Sequence, residues 1–225
     1  MNQNWIQLLP KLLISELDKK YQHRKILSNI SWLFVDRLLR MGLELVVGML
    51  VARYLGPSQF GLFNYAIAFV SIFGVIAALG LDSIVVRELV NHSERQASIL
   101  GTTFILKTGG SIIAWLLTIY VSYLFIFPDR SQVHWLICIT ASILFFKPSD
   151  TVDFWFQSRT QSKYTALVTS TTFILFATFR LGLIAFKLPL TVFALAGLLE
   201  AVLRSVGLII VSIKKGLPFK QAKFC

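Results

Sequence analysis

Four ionisable residues interrupt an apolar stretch near the N-terminus: Asp36, Arg37, Arg40 and Glu44. A spacing of four residues places Asp36, Arg40 and Glu44 on one face of a helix, with Arg37 beside them. Guanidinium groups bind phosphate oxygens through paired donors, and carboxylates neutralise arginines or bind cations. Two interpretations stay open: an ion ladder that only neutralises itself, or the polar wall of a water-filled cavity.

Three further ionisable residues interrupt later apolar stretches. Arg180 has no acidic residue within four positions, so we expect it to pair with another helix or to bind an anionic ligand. Glu200 and Arg204 are four residues apart and are expected to pair with each other. The candidate substrate-binding residues, all expected to line one cavity, are therefore Asp36, Arg37, Arg40, Glu44, Arg180, Glu200 and Arg204.

Two lysines lie near the ends of apolar stretches. Lys107 is expected to snorkel, with its ammonium reaching the membrane surface. Lys147 immediately precedes Pro148, which is expected to kink or end a helix close to that surface because proline cannot donate a backbone hydrogen bond.

The apolar stretches that carry these residues are long enough to cross a membrane. Residues 54–81 contain no Asp, Glu, Lys or Arg, and about 20 apolar residues suffice for one helical crossing. The sequence therefore predicts an all-α integral membrane protein with a bundle of six transmembrane helices. The predicted spans are 30–52, 60–81, 103–127, 133–146, 164–186 and 189–213.

Lysine and arginine are distributed unequally between the two sides of the predicted bundle. The terminal segments and alternate connections carry thirteen of them, and the opposite connections carry three. Because positive charge favours the cytoplasmic side, both termini are predicted to be cytoplasmic. Residues 1–28 are predicted to form an amphipathic cytoplasmic segment, 29–213 the six-helix transmembrane region, and 214–225 a cytoplasmic tail.

Composition excludes several other classes of protein. The chain is 56% hydrophobic with a mean hydropathy of +0.70, and its net charge of +11 is clustered at segment ends rather than along a polar face. We therefore expect no nucleic-acid partner. The two cysteines form no disulfide framework, and no metal-ligand spacing is present, so no metal or cofactor is expected. Outward connections of a few residues are too short to position catalytic groups, which argues against an enzyme.

Two motifs carry a resemblance to a known family. The first is Leu-Gly-Pro-Ser-Gln-Phe-Gly at 55–61, continued by Tyr-Ala at 65–66, Leu-Gly-Leu-Asp at 79–82 and Arg-Glu-Leu at 87–89. The second is Phe-Trp-Phe-Gln at 154–157, followed by Lys-Tyr at 163–164. Together they resemble the oligosaccharide flippase (polysaccharide biosynthesis protein) family of the multidrug/oligosaccharidyl-lipid/polysaccharide exporter superfamily. Family members often have Gly and Glu after the Gln, where this chain has Ser158 and Thr160.

The resemblance implies a transporter of two six-helix lobes that rock around a central cavity. Its substrate would be a polyprenyl-pyrophosphate-linked oligosaccharide, moved across the bacterial inner membrane for lipopolysaccharide O-antigen, capsule or exopolysaccharide assembly. Related lipid II flippases have arginines and an acid on the first helix in the cavity, so Asp36, Arg37 and Arg40 are similar in kind and place. Besides the lipid bilayer, the implied partners are a missing second lobe or polysaccharide assembly proteins. Residues 214–225 are expected to begin a truncated interlobe linker.

Local physics suggests roles for the glycines in and near these motifs. Gly56 is expected to end the first span in a left-handed conformation, and Pro57 to begin the second, where no backbone donor is needed. Gly61, Gly74 and Gly80 are expected to allow close approach between helices.

Three alternative functions stay open at this level. The chain could be a non-transporting remnant or an interaction subunit in the membrane. It could be a drug or cation exporter, as in the wider superfamily, with Asp36, Glu44 or Glu200 binding a cation. A membrane-embedded glycan enzyme would have to rely on Asp129, Arg130 and His134, which are the polar groups that an outward connection offers.

Overall fold

The computed structural model describes residues 11–125 and 131–216, with side chains described at 34–92, 94–124 and 132–216. This part of the chain is almost entirely helical and contains no strand. The side chains of the predicted amphipathic segment, residues 1–28, lie outside it, as do residues 217–225 of the predicted tail at 214–225 and residues Asp129 and Arg130. The helices are α1 Lys11–Ala78, α2 Asp82–Asn91, α3 Gln96–Phe125, α4 Ser131–Ala141, α5 Asp150–Ser158, α6 Lys163–Ala185 and α7 Leu190–Lys214.

Five stretches of the described chain are long and apolar enough to cross a membrane. Their outer surface carries large exposed apolar side chains, among them Met49, Val75, Tyr123 and Phe186. Contiguous apolar surface of this extent is incompatible with water and suits lipid. The chain is thus an all-helical membrane protein, as predicted. The five stretches are Phe34–Asn91, Gln96–Leu124, Gln132–Ser158, Lys163–Ala185 and Leu190–Lys214.

Helix α1 is interrupted at Gly56, which divides it into a first arm (residues 11–55) and a second arm (residues 57–78). Gly56 has φ 73° and ψ 169°. The positive φ was expected, but the extended ψ takes the residue out of the left-handed helical region into one that only glycine populates. Pro57 follows as the first residue of the second arm, where its fixed φ suits a helix start.

The two arms pack against different helices. The first arm runs parallel to α6. Asp36 contacts Ser170 in the first part of α6, and further along the arm the Tyr54 hydroxyl donates to the Leu188 carbonyl, 3.0 Å away, just beyond the end of α6. The second arm packs against α3 and α4. Its buried Ala66 and Val70 join Ile137 of α4 in one apolar cluster.

The second arm begins at the level where the first arm ends. Phe60 packs in the cluster that contains the α6–α7 turn. Further along, Gly74 lies beside Leu144, six residues before Asp150, which pairs with Arg204 of α7. The chain therefore turns back at Gly56, and the far ends of both arms lie towards the same end of the bundle.

The predicted fourth span continues beyond its expected end. After α4, residues Ser142–Ser149 form a 3₁₀ helix that contains Pro148, and α5 then continues to Ser158. The irregularity expected at Pro148 is thus spread over eight residues rather than confined to one kink. The residues between the predicted second and third spans are also mostly helical: α2 and a 3₁₀ turn at Ser93–Arg95 precede α3, which begins at Gln96.

Close helix approach depends on glycines other than those expected. A Cβ on Gly61 or Gly80 would meet nothing within 4 Å, and one on Gly74 would make only ordinary contact with Leu144. A Cβ on Gly207 would instead lie 2.8 Å from Val168 Cγ1, and one on Gly110 would lie 3.2 Å from Leu79. Gly207 therefore sets the spacing between α6 and α7. Gly80 has a backbone role, with φ 61° at the end of α1.

Candidate functional site

A cavity of about 510 Å³ lies between the first arm, α6 and α7. Six of the seven predicted site residues line it, and the seventh, Asp36, pairs with one of the six. The structure thus brings together ionic residues that the chain places on three separate helices. The six lining residues are Arg37, Arg40, Glu44, Arg180, Glu200 and Arg204.

On the first arm, Asp36 and Arg40 form the ion pair that their spacing predicts. The guanidinium of Arg40 lies 3.0 Å from the Asp36 carboxylate. The Ser170 hydroxyl of α6 donates a hydrogen bond to the other carboxylate oxygen. Asp36 is therefore held from two helices, and it fixes the Arg40 side chain against the cavity wall.

Arg180 finds its partner on another helix, which confirms one of the two outcomes expected for it. Its guanidinium lies 2.7 Å from the Glu200 carboxylate of α7. Both side chains are partly buried at the cavity wall. The pair joins α6 to α7 between their connecting turn and the close contact of Gly207 with Val168.

The predicted pair between Glu200 and Arg204 is wrong. Glu200 binds Arg180, and Arg204 lies 3.1 Å from Asp150, at the start of α5. A hydrogen bond of 2.9 Å between the hydroxyls of Ser149 and Ser205 joins the same two segments. The physical reason is that the 3₁₀ helix places Asp150 beside α7. The Asp150 carboxylate then competes for Arg204 with the Glu200 carboxylate on the same helix as Arg204.

Arg37 and Glu44 differ from the paired residues. Both side chains are exposed at the cavity, and neither takes part in an ion pair among the residues with described side chains. Within the same set, the Nε atoms of Arg40 and Arg204 are buried and make no hydrogen bond. The donors that the cavity wall offers to a ligand are therefore those of the exposed Arg37 guanidinium, whereas the two Nε atoms are not accessible from the cavity.

Sequence reasoning missed several residues of this wall. Thr169, Thr172 and Phe173 line it from α6, and Met41 lines it from the first arm. A run of Ser and Thr at 169–172 in an otherwise apolar helix was the available signal. Threonine hydroxyls and arginine donors side by side can bind oxygen-rich anionic groups.

A second cavity, of about 550 Å³, adjoins the first and shares Met41 and Glu44 with it. The rest of its lining is apolar and follows the first arm towards Gly56. The site therefore joins a region of guanidinium groups and hydroxyls to an apolar region of similar size. The additional lining residues are Leu45, Gly48, Met49, Ala52 and Phe60.

Lys107 is not part of the site, and the prediction that it snorkels is wrong. Its side chain is 2% exposed, and its ammonium lies 2.9 Å from Asp82. The same ammonium lies 4.3 Å from the centre of the Phe154 ring. Lys107 is held inside the bundle because the α1–α2 junction supplies a carboxylate and α5 supplies an aromatic face.

The second family motif contributes packing rather than cavity lining. Trp155 and Phe156 are buried in the cluster formed by α2, α3, α5 and α7. The Arg159 guanidinium lies 4.4 Å from the Trp155 ring centre and donates to the Gln96 side chain over 3.1 Å. These contacts join α5 to the start of α3.

Comparison with known proteins gives one match. The family described as polysaccharide biosynthesis protein matches residues 26–224, which is most of the chain. No curated protein and no solved structure matches it. The matched region contains the whole cavity and both motifs that carried the resemblance. The chain therefore belongs to the polysaccharide biosynthesis protein family.

Proposed function

We propose that the chain forms one lobe of a flippase for polyprenyl-pyrophosphate-linked oligosaccharide, and that it is a transporter rather than an enzyme. The observation that carries this proposal is the pair of adjoining cavities, one lined by four arginines and the other by apolar side chains. A substrate with an anionic head and a long hydrocarbon tail would match both cavities, the head in the one lined by arginines and the tail in the apolar one. Family membership supports an export role in polysaccharide assembly.

Each part of the substrate has a complementary part of the site. Pyrophosphate oxygens would accept hydrogen bonds from the exposed, unpaired guanidinium of Arg37 and lie in the field of the other cavity arginines. Sugar hydroxyls would bond to Thr169, Thr172 and the exposed carboxylate of Glu44. The first isoprene units would lie along Leu45, Gly48 and Met49.

Transport by alternating access requires a second wall, which we propose is another six-helix lobe. The described cavity is bounded by the first arm, α6 and α7 and exposes Arg37 and Glu44. A rocking partner would cover these side chains in one state and uncover them in the other. Substrate would then meet one side of the membrane at a time.

The lobe is proposed to cross the membrane six times. As a single straight helix, the 58-residue stretch Phe34–Asn91 would be about 87 Å long, roughly three times the hydrocarbon thickness. Its break at Gly56 and the packing of its two arms support two crossings instead. With the other four stretches the total is six, and the distribution of Lys and Arg supports cytoplasmic ends in the inner membrane.

Arg37 offers the cleanest test, because removing it leaves no carboxylate without its ion-pair partner among the described residues. The purified chain should bind farnesyl pyrophosphate more tightly than farnesol or inorganic pyrophosphate alone. Arg37→Gln should weaken farnesyl pyrophosphate binding by about tenfold, the equivalent of one charge-assisted contact. Arg53→Gln, an exposed arginine of the same arm outside the cavity, should leave binding unchanged.

Equal effects of the two substitutions would contradict the site assignment. The transport proposal has its own test in a flippase-deficient host that supplies a second lobe. Surface polysaccharide should return with the natural chain and decline with Arg37→Gln. Failure of the natural chain to restore it, with the protein present in the membrane, would contradict the proposal.

A further inference from the structure

A third concave surface lies apart from the cavities described above. It is a groove of about 450 Å³ between the second arm and the segment formed by α4 and the following 3₁₀ helix. It shares no residue with the arginine-lined cavity or with its apolar neighbour. The inference drawn from it does not rest on the proposed function.

Small residues on one face of the second arm create the groove. Ser71, Gly74 and Ala78 follow one another at spacings of three and four residues, so they share a face of the helix. Leu144 forms the opposite wall, with its Cδ2 3.8 Å from where a Cβ of Gly74 would be. Ile67, Val70 and Val75 line the same groove from its edges, and the three small residues leave it open at the level of Gly74.

The length of the groove matches one leaflet of a bilayer. Its lining on the second arm extends from Ile67 to Gly80, which corresponds to about 20 Å along a helix axis. The hydrocarbon of one leaflet is about 15 Å thick, half of the whole core. One extended acyl chain would therefore fit along it, with its head beside the last residues of the lining.

A positive charge lies at that end. Lys147 lines the groove and is 43% exposed, and its nearest carboxylate is Asp150 at 4.0 Å. Asp150 itself is held more closely by Arg204, at 3.1 Å. The ammonium of Lys147 is thus only weakly compensated by the protein, and ammonium groups bind phosphate well as compact charges.

We propose that this groove is a binding site for an anionic phospholipid, with one acyl chain along the small residues of the second arm and its phosphate on Lys147. Charge complementarity distinguishes this occupant from a second copy of the chain. An apolar helix in the same position would cover the small residues but would add no acceptor for the ammonium of Lys147, which Asp150 compensates only from 4.0 Å. The polyprenyl substrate is assigned elsewhere, because the arginine-lined cavity is not connected to this groove through any shared residue.

The test is a lipid titration of the delipidated full chain, followed by native mass spectrometry. Phosphatidylglycerol should bind about tenfold more tightly than phosphatidylcholine with the same acyl chains, the expected effect of one charge-assisted contact. Lys147→Gln should remove this preference. The matched control is Lys163→Gln, an exposed lysine at the start of α6, which should preserve it.

The acyl part of the site has a separate pair of variants. Gly74→Leu should fill the groove and reduce retention of both lipids several-fold. Gly61→Leu, on the same arm where a Cβ meets nothing within 4 Å, should not. Thermal unfolding of each variant shows whether it folds, and if Gly74→Leu does not, Gly74→Ala provides a smaller step in the same direction.

Four outcomes would overturn the proposal. The first is equal affinity of the natural chain for the two lipids, and the second is an equal loss of preference in Lys147→Gln and Lys163→Gln. The third is a competition result in which polyprenyl phosphate displaces bound phosphatidylglycerol at a lower concentration than added phosphatidylglycerol does. That result would assign the groove to the transported substrate. The fourth is a dimer that Gly74→Leu dissociates, which would assign it to a second copy.

Discussion

Two cationic regions of this chain use their positive charges in opposite ways. The ammonium of Lys107 is enclosed by the Asp82 carboxylate and the Phe154 ring, so groups of the protein itself compensate its charge. Arg40 and Arg204 also have carboxylate partners, yet each keeps a buried Nε donor without a hydrogen bond among the described residues. Beside them, the exposed guanidinium of Arg37 lines the cavity and has no ion-pair partner among the described residues. The difference indicates that the first region maintains the fold, whereas the second can still bind an anion through Arg37.

Burial alone does not separate the two regions. Lys107 is more buried than any arginine of the cavity, since Arg180 and Arg204 have side chains 24% and 41% exposed. What separates them is the number of donors left over. A guanidinium has five N–H groups, and one carboxylate accepts one or two of them. Cavity arginines can therefore be paired and still bind an anion.

The largest expected effect comes from breaking the Lys107 pair. Asp82→Ala leaves a buried ammonium without its carboxylate, which should lower the free energy of unfolding by about 3 kcal/mol. This value is the lower end of the usual range, because the Asp82 side chain is itself 61% exposed. Lys107→Met should lower the free energy of unfolding by less than Asp82→Ala does, since no charge is then left in the interior. Thermal unfolding in detergent measures both.

The order of these two variants is the decisive result. If Lys107→Met were as destabilising as Asp82→Ala, the lysine would contribute mainly packing and not a charge that needs compensation. Farnesyl pyrophosphate binding should be unchanged in both variants, because neither residue lines the cavity.

Glu200→Gln should have the opposite profile, with a smaller loss of stability and a gain in binding. The substitution removes the negative charge that holds the Arg180 guanidinium 2.7 Å away, and leaves an amide oxygen that accepts a weaker hydrogen bond. Replacing the charged acceptor by a neutral one should lower the free energy of unfolding by about 1 kcal/mol. Affinity for farnesyl pyrophosphate should rise several-fold, since one carboxylate fewer competes for the donor.

A double-mutant cycle with Arg180→Gln distinguishes this explanation from general loosening of α7. The two substitutions should be coupled by about 0.5–3 kcal/mol in stability, and the gain in binding should disappear in the double variant. A gain that persists without Arg180 would show that the donors come from elsewhere.

The smallest expected effect is at Ser170, which holds Asp36 from α6. Ser170→Ala should lower the free energy of unfolding by about 1 kcal/mol, the usual contribution of one hydrogen bond. Because Asp36 positions Arg40, farnesyl pyrophosphate binding should also weaken slightly. Thr178→Ala is the matched control, since that hydroxyl bonds only within α6, to the Ile174 carbonyl, and it should change stability without changing affinity.

Much of the site could be predicted from the sequence because charge in an apolar helix is conspicuous. Each ionisable residue in such a stretch costs about 2.5–3.5 kcal/mol to insert in a membrane, so few are present and most have a role. That reasoning found Arg180 and the cluster on the first arm. It failed for Lys107 and for the partner of Arg204, because both depend on how α5 and its neighbours pack.

The membrane class, the apolar helices and the identity of the ionic residues were determined by the sequence, since composition and periodicity are local properties that no packing changes. The pairing of Glu200 with Arg180, the delivery of Asp150 to α7, and the contact between the two cavities were decided only by the tertiary structure. The physical reason is distance. Whether a guanidinium keeps a donor for a ligand depends on carboxylates far away in the chain, and their approach is set by close helix packing such as that at Gly207.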